Sequence, residues 1–114
     1  MGELFIYEKA FKFAKRIVKL YKYLKEDKKE NILSKQLLRS GTSIGANIKE
    51  ARFAQSNNDF ISKLSISLKE ANESEYWIGL LKDEYLSKEE AESLLKDLNE
   101  IISLLVVTVK KRKQ

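Results

Sequence analysis

The chain contains no histidine and no cysteine. Without histidine it lacks the commonest general base near neutral pH and the commonest side-chain ligand of transition metals. Without cysteine it lacks thiolate nucleophiles, thiolate metal sites and disulfides. Ser-His-Asp, Cys-His and ordinary zinc chemistry are thereby excluded, and neither catalytic residues nor a cofactor is expected. Proline is also missing, and only four of the 114 residues are glycine, so little in the chain obliges a helix to break. No apolar run approaches a membrane span, and no basic segment followed by a sustained apolar run opens the chain. The expectation is a soluble, cytoplasmic protein with no membrane association.

What is present suits helices. Charged residues make up 34% and hydrophobic residues 43% of the chain, a mixture typical of amphipathic helices with one solvated face. The length fits one domain over residues 1–114, large enough to fold without staples.

From about Leu4 to Lys25 the residues separate into two faces at about 100° per residue. Tyr7, Ala10, Phe11, Phe13, Ala14, Ile17, Val18, Leu20, Tyr21 and Leu24 share one; Lys9, Lys12, Lys15, Arg16, Lys19 and Lys22 share the other. Past Tyr7 the only acid before Glu26 is Glu8, so the polar face is a basic stripe. It fits either a polyanion-binding surface or a solubilising one, although a helix built only for solubility normally mixes both signs. Asp27-Lys28-Lys29-Glu30 has the spacing of a capping box and predicts a second helix from about Lys28 to Phe53 after a very short turn. Ser56, with Asp59 three residues later, opens a third helix to about Glu84. Its predicted stripe is Ile61, Leu64, Leu68, Ala71 and Ile78, with Phe60, Trp77 and Leu81 at the edges and Glu75 where an apolar residue is wanted. Ser87 and Glu90 predict a fourth helix from about Lys88 to Lys111, with Leu86 stapling onto Ala91. Over Ile101–Val109 this helix is apolar round more than half its circumference, which fits either contact with a second chain or a central place in a monomer. Short turns between four helices predict an all-α, antiparallel up-down-up-down four-helix bundle.

The middle of the second helix is unusual. Leu37, Gly41, Ile44, Ile48 and Ala51 keep a helical stripe, yet Gly41 and Gly45 each cost about 1 kcal/mol relative to alanine. Close approach of a neighbouring backbone over this Gly-x-x-x-Gly face is the compensation expected. Gly41-Thr42-Ser43-Ile44-Gly45 lacks the spacing and the preceding strand of a phosphate loop. Asn47, Glu50, Glu70 and Glu73 were natural metal-ligand candidates in a bundle, but the di-iron arrangement needs a Glu-x-x-His pair on each of two helices. Pairing of Glu50, Glu70 or Glu73 with Arg39 or Arg52, in the bundle or across a subunit contact, is the preferred reading. Trp77 and the tyrosines at helical spacing fit core or interface better than base stacking.

Charge is segregated along the chain. Residues 1–30 carry nine cations against five acids and residues 31–58 four against one, whereas residues 59–84 carry three against six. Lys110, Lys111, Arg112 and Lys113 add a cationic C-terminus beyond the needs of helix capping. Segregation of this kind favours both head-to-tail self-association and polyanion binding.

The run Gln36-Leu37-Leu38-Arg39-Ser40-Gly41-Thr42-Ser43-Ile44-Gly45-Ala46-Asn47-Ile48-Lys49-Glu50-Ala51 resembles the signature of the small bacterial four helix bundle protein family, which includes proteins encoded in intervening sequences of 23S ribosomal RNA genes, also labelled S23 ribosomal proteins. The likeness continues through Asp59-Phe60-Ile61-Ser62-Lys63-Leu64 and Leu68-Lys69-Glu70-Ala71-Asn72-Glu73. Many relatives carry Pro at the position of Gly45 and Gly at that of Ala51, so the chain resembles a particular branch. The resemblance implies a homopentamer of four-helix bundles, no catalytic residues, and kinship with the accessory variability determinant protein of diversity-generating retroelements, which binds nucleic acid and a reverse transcriptase. RNA, DNA or a protein such as a reverse transcriptase are thus the partners to consider. The nucleic-acid-binding candidates are Lys9, Lys12, Lys15, Arg16, Lys19, Lys22, Lys110, Lys111, Arg112 and Lys113. The helix-contact and polar-network candidates are Arg39, Gly41, Ser43, Gly45, Asn47, Glu50, Glu70 and Glu73.

Overall fold

The computed structural model describes residues 2–114, in which four helices follow one another: α1 (Gly2–Glu26), α2 (Leu33–Ala51), α3 (Asn57–Leu81) and α4 (Lys88–Lys113). Each lies beside its predecessor and α4 returns beside α1, closing an antiparallel four-helix bundle of 45 × 21 × 19 Å. The four sides are unequal: α2 and α3 pack most intimately, α1 and α4 least.

Apolar residues three and four apart build the core. Phe13, Ile17 and Leu24 of α1 meet Leu37, Ile44 and Ile48 of α2, with Leu64, Ile78 and Leu81 from α3 and Leu94, Leu98 and Leu105 from α4. Burial of each large apolar side chain contributes roughly 1.5–3 kcal/mol. The buried face of α1 is narrower than the sequence suggests. Ile6, Ala10, Phe13, Ile17 and Leu24 fill it, while Phe11 and Val18 are 51% and 43% exposed.

The stripe of α3 is rotated from its prediction as well. Ser67 and Ser74 are fully buried beside Phe60, Leu64, Ala71, Ile78 and Leu81, while Ile61 and Leu68 lie at the edge. Glu75 is exposed, because Ser74 takes the inward position. The serines satisfy their hydroxyls within α3 and across to α2. Ser67 Oγ donates to Ile44 O at 2.9 Å, Ser74 Oγ donates to Glu70 O at 2.9 Å, and the hydroxyls of Ser40 and Ser74 lie 2.8 Å apart. Small side chains here let α2 and α3 approach closely, and among the described residues no buried side-chain nitrogen or oxygen is left without a hydrogen-bond partner.

Gly41 and Gly45 serve the opposite side of α2. A Cβ on Gly41 would lie 3.1 Å from Ile17 Cγ1, and one on Gly45 would lie 3.5 Å from Ala10 Cβ and 3.7 Å from the Ala10 carbonyl carbon. The neighbour over the Gly-x-x-x-Gly face is therefore α1.

The first connection departs from the predicted capping box. Lys29 takes a left-handed conformation (φ 57°) and the Glu30 N–H returns to Leu24 O, closing α1. Asp27 thus stays with the end of α1, and α2 begins at Leu33 rather than Lys28. Glu30 itself caps α2: its carboxylate accepts the N–H groups of Ile32, Leu33 and Ser34 at 2.9–3.1 Å, and Ser34 Oγ donates to Glu30 O at 2.8 Å. Burial pushes this carboxyl's pKa up, but the backbone amides of Leu33, Ser34 and Ile32 outweigh it and hold the group below the ordinary carboxylate range. Its contribution to stability is therefore present above the unfolded-state value and lost as pH falls through the folded one.

The later caps follow the sequence more closely. Ser56 Oγ accepts from Asp59 N, and Ser87 Oγ from Glu90 N, at 3.0 and 3.1 Å. α3 stops at Leu81, short of Glu84, because Asp83 turns left-handed (φ 75°) and Leu86 N–H folds back to Leu81 O. α4 runs two residues beyond its predicted end, to Lys113. Among the described residues no helix is long and apolar enough to cross a membrane.

Candidate nucleic-acid interface

Two cations expected in the stripe of α1 are engaged with α4 instead. Arg16 Nη1 donates to Asp97 Oδ2 at 2.7 Å, and Arg16 Nη2 donates to Glu90 Oε2 at 3.1 Å and to Ser93 Oγ at 3.0 Å. Lys9 Nζ lies 3.7 Å from Glu100 Oε1. These residues sit on the flank of α1 that turns toward α4, so the six-residue basic stripe needs correcting: Lys9 and Arg16 span the gap between the terminal helices. Glu90 likewise does not complete its capping box, since its carboxylate goes to Arg16.

Lys12, Lys15, Lys19 and Lys22 remain. Their spacing of three, four and three puts them on one exposed crest spanning about 15 Å of helix. Among the described residues none of the four pairs with a carboxylate. Lys15 Nζ lies 5.6 Å from the centroid of the exposed Phe11 ring.

The C-terminal cations also divide. The Arg112 guanidinium stacks 3.8 Å from the Phe60 ring centroid and donates to Asn57 Oδ1 at 3.0 Å, while Asn57 Nδ2 donates to Arg112 O at 2.9 Å. Arg112 thus clasps the end of α4 to the start of α3. Lys110, Lys111 and Lys113 are exposed. They stand at the end of the bundle where α1 begins.

The polar-network candidates occupy the α2–α3 side. Arg39 Nη1 donates to Glu70 Oε1 at 3.1 Å and Nη2 to Glu73 Oε2; the Trp77 Nε1–H donates to the same Glu73 oxygen at 3.0 Å. Arg39 first, then Trp77, hold the Glu73 carboxyl below its ordinary range, and Glu73 in turn raises the Arg39 guanidinium. Ser43 Oγ donates to Arg39 O at 2.7 Å and Asn47 Nδ2 to Ser43 O at 2.8 Å, both within α2. Glu50 pairs with Lys63 at 3.0 Å and raises its pKa. Arg52 lies over the Tyr7 ring, 5.9 Å from its centroid. The carboxylates are thus divided between two surface ion-pair sets and do not converge; among the described residues no group of three metal-ligating side chains comes together.

The sequence reading missed Asp97 and Ser93 as partners of Arg16, and Ser67 and Ser74 as the means by which α2 and α3 approach. The available signal was a short serine at i, i+7 on α3, opposite Ser40 and Ile44 on α2.

This architecture matches known proteins over almost its full length. The family model described as 23S rRNA-intervening sequence protein matches residues 2–107. The chain belongs to that family. It is also similar to the crystal structure of a protein with unknown function from the S23 ribosomal protein family of Bacteroides thetaiotaomicron, with 54% sequence identity and a TM-score of 0.94, covering 96% of this chain and 99% of that one. No curated protein matches the sequence. Neither the family nor its solved member carries a sign of catalytic activity.

Proposed function

We propose that this member of the 23S rRNA-intervening sequence protein family is a non-enzymatic homo-oligomer, a pentamer as the family resemblance implies, that binds nucleic acid through phosphate contacts independent of sequence. The observation that carries the reading is the crest Lys12–Lys15–Lys19–Lys22, four exposed cations on one helix face to which no acid is paired among the described residues. Lys110, Lys111 and Lys113 extend the surface at one end of the bundle. A crest of four cations binds weakly alone, and repetition around an oligomer multiplies its effect.

The test is fluorescence anisotropy with labelled structured RNA and duplex DNA at low and moderate salt. Four phosphate contacts per protomer give a log–log salt slope of about −3 to −4 per engaged protomer. The triple reversal Lys12→Glu, Lys15→Glu, Lys19→Glu should abolish binding with the helical circular dichroism unchanged; retained binding removes the crest from the assignment. A preference for RNA would connect the protein to the ribosomal RNA context of its family.

The segregated charge supports a second reading, an assembly scaffold with no nucleic-acid role. Under it the same reversals change the sedimentation of the protein, and no RNA or DNA binds even at low salt.

A further inference from the structure

Five aromatic rings of α1 reach solvent in part: Phe5, Tyr7, Phe11, Tyr21 and Tyr23. Four already have a cation against them. Lys9 lies over Phe5, Arg52 over Tyr7, Lys15 over Phe11 and Lys25 over Tyr21, each 5.3–5.9 Å from the ring centroid. Tyr23 is 44% exposed, and among the described residues no cation covers it.

Tyr23 lines an open cleft of about 640 Å³ with Leu20, Arg16 and Lys19 of α1, Glu90 of α4, and Tyr85 from the turn between α3 and α4. Leu20 and Tyr85 pack against the core and give the cleft an apolar side. Both tyrosines stand on fixed backbone. The Tyr23 carbonyl accepts the Asp27 N–H at 2.8 Å at the end of α1, and the Tyr85 N–H donates to Leu81 O at 2.9 Å in a turn anchored by the buried Leu86. Glu90, the one acid of this lining, is held by Arg16 at 3.1 Å. The cation left uncommitted among the described residues is Lys19, which also belongs to the lysine crest.

An open aromatic face beside a free cation suits a flat ring joined to a phosphate. A nucleotide has both. In a duplex, however, each base is stacked above and below, so only an unpaired base offers a face to a tyrosine.

We infer that this cleft takes an unpaired base of a nucleic-acid strand whose phosphates follow the crest, so that the protein engages loops, bulges and strand ends ahead of continuous duplex. The inference rests on the nucleic-acid part of the reading above and specifies the form of the strand. Every base has a stacking face, so the contact stays independent of sequence.

The test compares oligouridylate, oligothymidylate and a fully paired DNA duplex of one length by fluorescence anisotropy at one salt concentration. A surface that reads phosphate charge alone favours the duplex, which carries the denser charge. The wild-type protein should instead bind both single strands about tenfold more tightly. Tyr23→Ala and Tyr85→Leu should each weaken single-strand binding by about tenfold and leave duplex binding unchanged, whereas Tyr23→Phe keeps the wild-type affinity. Because no charge is removed, the salt slope of the variants should equal that of the wild type. Equal or tighter binding of the duplex, or tyrosine variants that weaken both forms alike or neither, would overturn the cleft and leave the phosphate surface standing. No binding of any of the three at low salt would remove the nucleic-acid reading and this inference with it. Circular dichroism checks each fold; should Tyr85→Leu unfold the bundle, the exposed Tyr23→Ala decides alone.

Discussion

The two sides of α2 and the seam between α1 and α4 solve the same problem by opposite means. Around α2 the helices come close because side chains are nearly absent: Gly41 and Gly45 admit Ile17 and Ala10 of α1, and the Ser40–Ser74 and Ser67–Ile44 hydrogen bonds join α3. Between α1 and α4 long side chains reach across, with Arg16 meeting Glu90, Ser93 and Asp97 and Lys9 meeting Glu100. Close packing gains dispersion and excludes water. Exposed ion pairs gain little in high dielectric and pay side-chain entropy. The rigid half of the bundle should therefore be the α1–α2–α3 side.

The comparison breaks most sharply at the glycines. Gly41→Leu or Gly45→Leu forces a side chain into occupied space and should destabilise the fold by about 1–3 kcal/mol; a wild-type denaturation midpoint would contradict the close contact. Gly45→Ala sharpens the point, because its Cβ would meet only ordinary contact distances and should stabilise the helix by up to about 1 kcal/mol. Next comes Ser74→Ala, which removes a buried hydroxyl and deprives Ser40 of a partner. A loss of about 1 kcal/mol is expected by urea denaturation, and an unchanged midpoint would show that the serines matter only for their size. Smallest is Arg16→Ala. Its pairs are more than one-third exposed on the acidic side, so the loss should stay below about 1 kcal/mol and shrink as salt rises. A larger, salt-independent loss would make the α1–α4 seam a structural equal of the α2 contacts.

Much of the architecture was legible because heptad-like spacing, serine caps and short connections agree with one another. Four helices, their order and the close approach at Gly41 and Gly45 can be read from the residues. The beginning of α2 was not legible, because Asp27 and Glu30 satisfy the capping-box spacing equally well whether the helix starts before or after Lys29. Only the left-handed turn at Lys29, set by chain reversal, makes Glu30 the cap. The rotation of α3 was hidden for a different reason. Serine counts as polar in any periodicity, yet Ser67 and Ser74 bury without cost to satisfaction by bonding to carbonyls one turn or one helix away. In the candidate interface, residue type separated cations from apolar residues but could not tell a free lysine from a bridging one. Lys9 and Arg16 differ from Lys12 and Lys19 only by their angular position on α1, and that difference has meaning only once α4 is in place.

The Arg16 cluster also bears on the order in which the chain assembles. Its hydrogen bonds join residues 74 to 81 positions apart, whereas α1–α2 and α2–α3 are hairpins closed by short turns. Closing the longest loop carries the largest entropic cost, so the terminal helices meet after the central hairpins have formed. The side of the bundle held by the weakest contacts is thus expected to close last, and a partially folded chain would hold its hairpins formed with α1 and α4 still apart.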